Sequence, residues 1–388
     1  MTSDHLTEEA PLKGLRVLEL ARILAGPWAG QTLSDLGADV LKVESKQGDD
    51  TRHWGPPFFD NDDGTQDAAY FHSCNRGKRS VVADFSSVEG QQEIRELVKD
   101  ADVIIENFKV GGLQQYGLDY QSLKKINPRV VYCSITGFGQ DGPYAGRPGY
   151  DFIAQGLSGV MDLTGEAEGA PQKIGVAFAD IFTGLYAVIG IQAALAKREK
   201  TGHGEQVDLS LLDSMVGVLA NQGMNYLATG VSPTRLGNKH PNIAPYETFP
   251  TNTSWFILAV GNDEQFRKFC DVVGLGNTHQ NAKFHSNSMR VANRIELNAL
   301  ITEKTRQWDR DALLNELTNA SVPAAPINSV QQAFEDPQVL ARNMLIGLER
   351  SLGHEKIKGV RTPIKFSHSS LNLTSPSPVL GSGEMKWL

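Results

Sequence analysis

GLRVLELARILAGPWAGQTLSDLGADVLKVES, Gly14 to Ser45, decides the fold. Arg16–Leu20 is a short β-prone run. Ala25-Gly26-Pro27 makes a turn, with Pro27 suited to a first helical position, where a missing N–H costs nothing. Trp28–Leu36 then carries helical apolar spacing closed by Gly37, and Asp39–Val43 alternates as a strand. Strand, helix, strand in that order is a βαβ unit, which joins parallel strands by a right-handed crossover.

The pattern recurs downstream. Arg79–Phe85 reads as a strand, Val88–Lys99 as a helix and Asp102–Glu106 as a strand; Leu118–Lys125 looks helical before a strand at Arg129–Ser134. This alternation predicts an α/β protein built on a Rossmann-like, doubly wound parallel sheet. Gly137–Pro171 is Gly/Pro/polar-rich, with one helix expected from about Tyr150 to Met161. A long helix from about Asp180 to Lys200 follows, then a strand at Glu205–Ser210 and a helix at Leu211–Ala228. VSPTRLGNKHPNIAPY, after Gly230, is the best domain boundary. Beyond it come a β run at Trp255–Val260, several helices and a returning strand at Val322–Ile327, while Leu371–Leu388 has no helix signal. The expected organisation is a large domain over 1–230, a smaller α/β domain over 231–325, and a return to the large domain over 326–388.

Composition narrows the class. At roughly 100–200 residues per domain, 388 residues suggest two or three domains. With 37 Lys+Arg against 45 Asp+Glu the net charge is -8, which argues against a general binder of nucleic acid or anionic membrane. The polar, acidic start MTSDHLTEEA has neither the basic nor the apolar region of a signal peptide, so a cytoplasmic location is expected. Cys74, Cys133 and Cys270 lie far apart without a CxxC, which excludes a disulfide scaffold or Cys-type zinc site. Gly175 to Ala196 approaches the length of a membrane span, but Asp180 and Gln192 interrupt it; a buried helix in a soluble core is expected instead.

Few chemical motifs survive inspection. The first strand–helix turn lacks GxGxxG, so it reads as a packed βα turn although Glu44 mimics a ribose-binding acid; no P-loop occurs. The run Asn75-Arg76-Gly77-Lys78-Arg79 is either a solvated loop or a phosphate clamp. Asp180 opens an apolar helix. It is either an N-cap or a nucleophilic carboxylate, kept ionised by the helix dipole and kept dry by its neighbours. His53, His72, His203, His240, His285, His354 and His368 stand outside any HExxH or GxSxG pattern, so serine- and zinc-hydrolase readings lack support.

Together with GLRVLELARILAGPWAG, the segments GDDTRHWGPPF, NRGKRSVVADF, ADVIIENFKVGGLQQYGLDY, RPGYDFIAQGLSG, GVAFADIFTG and RLGNKHPNIAPYETF resemble the family III CoA-transferases. The likeness runs from Leu12 to about Lys365 and is closest to the subgroup acting on dicarboxylates. It implies an interlocked homodimer, acyl-CoA and a carboxylic acid as substrates, and no bound cofactor or metal. It implies a nucleophile at Asp180, oriented by Asp151, passing through an acyl anhydride and an aspartyl-CoA thioester. CoA contacts carry over to Leu24, Ala25, Asn75, Arg76, Lys78, Asn107, Phe108, Lys109, Arg147 and Tyr150, with the basic members on the phosphates. Lys239 and His240 stand in the substrate loop and, with Arg52, are candidates for an acceptor's second carboxylate. His240-Pro241-Asn242-Ile243 replaces the glycine-rich lid of formyl-CoA transferases, and VLGSGEMKWL replaces a terminal helix common in related chains. The racemases of the same fold need a histidine where Tyr150 stands; a non-catalytic CoA-binding protein would not need an intact Asp180.

Overall fold

A computed structural model describes residues 9–61, 63–348 and 357–388; Met1–Glu8 of the polar start and His354 lie outside them. Six strands form one parallel sheet: β1 (Arg16–Glu19), β2 (Asp39–Glu44), β3 (Arg79–Val82), β4 (Val103–Glu106), β5 (Val131–Thr136) and β6 (Gln206–Ser210), in the order β3-β2-β1-β4-β5-β6. This is the doubly wound arrangement that the opening βαβ unit predicts. β1 is central, with Val17 in register with Val40 on one side and Val103 on the other.

Alternation along β1 splits the core in two. Val17 joins Ala29, Leu33, Ala187 and Ile191 on one face, whereas Leu18 and Leu20 join Ile94, Leu97 and Tyr132 on the other. The first face is covered by α1 (Ala25–Asp35) and by α4 (Phe178–Thr201); the second is covered by α2 (Val88–Val98). α1 starts earlier than the apolar spacing suggests, so Pro27 is third in the helix, still inside the first turn, where no intrahelical partner is lost. α4 is long and apolar enough to cross a membrane, yet Ala179, Thr183, Ala187, Ile191 and Ala194 are buried within this unit.

Two helices expected as single pieces are broken. The first stops as α3 (Asp151–Leu157), and a short turn at Val160–Leu163 follows Gly159, whose φ is 86°. The second divides into α5 (Leu211–Gly217) and α6 (Ala220–Thr229), with Ala220 in the left-handed region at φ 46°. A hairpin of Phe58–Asp60 with Gln66–Ala68 was not legible, because strands of three residues hold too little alternation to recognise.

The chain divides into two compact units, one of Met1–Val160, Lys173–Val231 and Pro337–Leu388, the other of Met161–Gln172 and Ser232–Asp336, so far as these residues are described. The second unit has an antiparallel sheet of β7 (Tyr246–Pro250), β8 (Trp255–Ala259) and β9 (Ala324–Pro326), with β8 in the middle. Its core packs Phe249, Phe256, Phe266, Phe269, Leu297, Ile301 and Leu313. In the first unit Leu371–Leu388 forms no helix, as expected. It is anchored nonetheless: the Gly383 amide donates to Ser80 O at 2.7 Å, and Trp387 Nε1 donates to Leu97 O at 3.0 Å.

Close helix packing rests on small residues. A Cβ built on Gly30 of α1 would sit 1.8 Å from Glu19 Oε2, and one on Gly184 of α4 would sit 2.7 Å from the Ala25 carbonyl oxygen. Glu19 is fully buried and ion-paired, so it has nowhere to retreat. Gly30→Ala should therefore destabilise the protein by about 1–3 kcal/mol, read as a lower urea midpoint at unchanged slope.

Candidate active site

The strand order reverses direction between β1 and β4, and doubly wound sheets receive ligands at the carboxyl ends beside such a switch. A cleft of about 470 Å³ lies there. Arg22, Ile23 and Ala25 line it from the turn after β1, Asn107, Phe108 and Lys109 from the segment after β4, and Arg147, Tyr150 and Asp180 from beyond β5. Of the residues the sequence reading named, Ala25, Asn107, Phe108, Lys109, Arg147, Tyr150 and Asp180 come together here. Leu24 is buried next to Ala25, and Asp151 sits at the start of α3.

Asp180 is third in α4 and does not cap it. The capping position is Ala177, which offers no side-chain bond. The helix start is served instead by Asp151, whose Oδ1 accepts from the Ala179 amide at 2.8 Å and whose Oδ2 accepts from Gln155 Nε2 at 2.7 Å. The electrostatics also correct the expectation of a freely ionised carboxylate. Burial first, and the neighbouring Asp151 second, push the Asp180 carboxyl up to about 7. Desolvation beats the helix dipole here.

Two aromatic residues that no sequence pattern marked join this corner. The Tyr70 phenol is pushed up to about 12, by burial first and then by Asp180. Trp54 lines the cleft and meets the Tyr70 ring edge-on at 5.5 Å. Their signal is spatial, since the pair belongs to a hairpin region remote from α4 in sequence.

The solvated-loop reading of the basic run fails, and its cations are already engaged within the protein. Arg76 bonds Asp35 through Nη2 at 2.5 Å and Nε at 3.1 Å. Lys78 donates to Glu19 and to Asn75 Oδ1, while Asn75 Nδ2 donates to the Phe71 carbonyl. Asn75, Arg76 and Lys78 are all buried, so a phosphate could be held only by stranding Asp35 or Glu19. Arg52 is corrected for the same reason: it is buried against Glu44 at 2.7 Å and Asp67 at 3.0 Å, with its guanidinium 3.7 Å from the Phe71 ring. Glu44 is thereby engaged as well, and its carboxyl is held below the ordinary glutamate range: burial opposes this, but Arg52 and Lys42 outweigh it.

The available cations are different ones. Arg147 is exposed and lies 4.4 Å from the Tyr144 ring and 5.5 Å from the Phe138 ring; neither it nor Lys109 has an ion-pair partner among the described residues. A second cleft of about 460 Å³ over the ends of β1 and β2 shares Arg22 and Phe108 with the first and adds Lys46 and Phe85. Lys239 and His240 belong to the second unit, where the His240 ring contacts Tyr246 at 5.1 Å and its carbonyl accepts from Arg294 at 2.6 Å.

A doubly wound sheet, a cleft at its switch point and a half-buried carboxylate at a helix start are accompanied by a family-wide match: CoA-transferase family III covers residues 12–384, and the chain belongs to that family. It is 53% identical over 388 residues to the succinate–glutarate CoA-transferase of Agrobacterium fabrum, spanning 100% of this chain and 97% of that protein. It is 38% identical over 375 residues to human succinyl-CoA:glutarate CoA-transferase, spanning 96% of this chain and 84% of that one. Among solved structures, a CAIB/BAIF family protein from Brucella suis superposes with a TM-score of 0.87 at 60% identity, covering 96% of this chain and 97% of the other.

An acid with a raised pKa favours the folded state at low pH and opposes it as pH rises from its unfolded value towards 7. Asp180→Asn should accordingly be more stable than the parent at pH 8, by about 1–4 kcal/mol, and lose that advantage near pH 4. Urea titrations at the two pH values check this. In the parent, kcat/KM should rise through an acid limb near 7, and Asp151→Asn should move that limb down by removing the second charge.

Proposed function

We propose that the chain carries CoA from an acyl-CoA donor to a dicarboxylic acid through a covalent relay at Asp180. The observation that carries this reading is a half-buried carboxylate that lines the cleft from the first turn of an apolar helix, beside Asp151, with its proton affinity raised by burial and by that neighbour. An Asp180 oxygen attacks the donor thioester carbonyl; the C–S bond breaks and CoA leaves as thiolate, giving a mixed anhydride. The thiolate attacks the aspartyl carbonyl and expels the donor acid, leaving an aspartyl-CoA thioester. The acceptor carboxylate attacks that thioester, and the thiolate released returns to the acceptor's acyl carbon, freeing Asp180. Each step exchanges one acyl bond for another, and no net proton is consumed. Asp151 steadies the relay by holding the first turn of α4.

In this reading CoA spans both clefts, with its thiol end at the Ala25 turn and its nucleotide end towards Lys46. Arg22, Lys109 and Arg147 supply charge for its phosphates in place of the buried Asn75–Lys78 segment. Lys239 and His240 are the candidates for the acceptor's free carboxylate. The names of the Agrobacterium and human relatives, both glutarate CoA-transferases, support a dicarboxylate acceptor. A homodimer is supported by apolar surface on the first unit, where Ile189 of α4 is 62% exposed and Leu227 of α6 is 73% exposed; its interlocked form rests on the family resemblance.

A matrix of acyl-CoA donors against mono- and dicarboxylates, read by mass, tests the activity. Succinate or glutarate should exceed acetate and formate in kcat/KM; the reverse order would end the dicarboxylate reading. Asp180→Asn should lower kcat by about 10³-fold or more, and hydroxylamine added during turnover should mark Asp180 alone. An active Asp180→Asn protein would return that residue to a structural role. Sedimentation at micromolar protein should give twice the 42.3 kDa chain mass, unchanged on dilution; an active monomer would remove the interlocked assembly.

A further inference from the structure

The turn that walls the cleft is held by groups that the relay leaves unused. Ile23 has φ 72°, a conformation that a β-branched residue takes only when its surroundings impose it. Its amide donates to the Asp49 carboxylate at 3.2 and 3.3 Å. Asp49 is 1% exposed and is fixed in turn by the Thr51 amide at 3.0 Å, the Thr51 hydroxyl at 2.8 Å and Lys42 Nζ at 3.0 Å. Lys42, fully buried, also donates to Glu19 and to the Ala21 carbonyl. From the other side the Asn107 carboxamide brackets Arg22: Oδ1 accepts from the Arg22 amide at 2.8 Å, and Nδ2 donates to the Arg22 carbonyl at 2.6 Å. Three successive residues, Ala21 to Ile23, are thus tied to buried charge or to the segment after β4. Glycine at 23 would adopt this φ unaided. What an imposed isoleucine adds is a rigid wall along the cleft.

We propose that Asp49, backed by Lys42, and Asn107 are positioning residues that lock Ile23 in the left-handed conformation and so preset the Arg22–Ala25 wall against the helix carrying Asp180. The wall and that helix already touch, since Gly184 closely approaches the Ala25 carbonyl. Presetting matters because displacement of a reacting group by about 1 Å can cost about 100-fold in rate. The catalytic half of this inference rests on the CoA-transfer reading; the structural half does not.

The experiment uses the full chain with Asp49→Ala and Asn107→Ala, each with and without Ile23→Gly. Peptide-resolved amide exchange over residues 20–26 is measured beside steady-state transfer. Each single variant should speed exchange at residues 22 and 23 by about tenfold or more, with exchange in the rest of the sheet within about twofold. In Asp49→Ala transfer kcat should fall about 10- to 100-fold with KM for acyl-CoA within about threefold; in Asn107→Ala, at a residue that also lines the CoA cleft, kcat should fall by a similar factor. Adding Ile23→Gly should recover about threefold or more of kcat, because glycine holds the turn without strain; loss of packing alone would not be relieved this way. Unchanged exchange at residues 22 and 23, or a kcat loss indifferent to Ile23→Gly, overturns the proposal. If Asp49→Ala fails to fold, Asn107→Ala carries the test, since it removes a half-buried neutral side chain and strands no charge. A parent chain inactive with every donor and acceptor would sink the transfer reading, while the exchange measurement would still decide whether these residues hold the turn.

Discussion

Withdrawing one carboxylate partly from water, at the wall of a cleft, is the constraint around which the first unit is organised. Asp180 sits in the first turn of an apolar helix, beside a second acid that raises its proton affinity further. Such a group opposes folding at neutral pH, so the surroundings must be stable without it. They are: α1 and α4 meet through Gly184, the start of α4 is served by Asp151, and Gly30 lets α1 close over Glu19. The small residues of the opening segment do more than turn the chain.

Buried charge is the second theme. Glu19, Lys42, Asp49, Lys78, Arg76 and Asp35 form pairs beneath the first βα turn, and Arg52 with Glu44 and Asp67 forms another set beside it. Removing one partner from such a set costs more than the pair contributes, because the remaining charge stays desolvated. These ions therefore specify where β2, β3 and α1 stand more than they add net stability. Lys42 shows the balance: burial favours loss of its proton, but Glu19 and Asp49 outweigh burial and raise its pKa above the ordinary lysine value.

This also explains what could be read from the sequence. The βαβ repeats were legible because apolar periodicity is local, and the sheet followed from them. The breaks at Gly159 and Ala220 were not, since nothing in the apolar spacing marks a change of φ there. At the cleft, Asp180, Lys109, Arg147 and Tyr150 stood in segments whose pattern carried the family resemblance. That Arg76 and Lys78 are engaged in buried pairs was not legible, because their partners lie 41 and 59 residues away, beyond any local pattern. Trp54 and Ile23 stood in segments of the family resemblance too, but nothing in the sequence singled them out, and Tyr70 stood in none. Their importance comes from proximity and, for Ile23, from a backbone angle.

The segment around Gly383 and Trp387 gives the edge strand β3 and the neighbouring α2 their outermost partners, from 290 residues or more downstream. During synthesis, which delivers the chain from its N-terminus, the exposed edge at Ser80 waits until nearly all of the protein has left the ribosome. Until then it offers unpaired amides and carbonyls to any neighbouring strand. The large unit therefore cannot be finished in the order in which it is made, and a nascent chain halted inside the second unit would present an open sheet edge to the cell's chaperones.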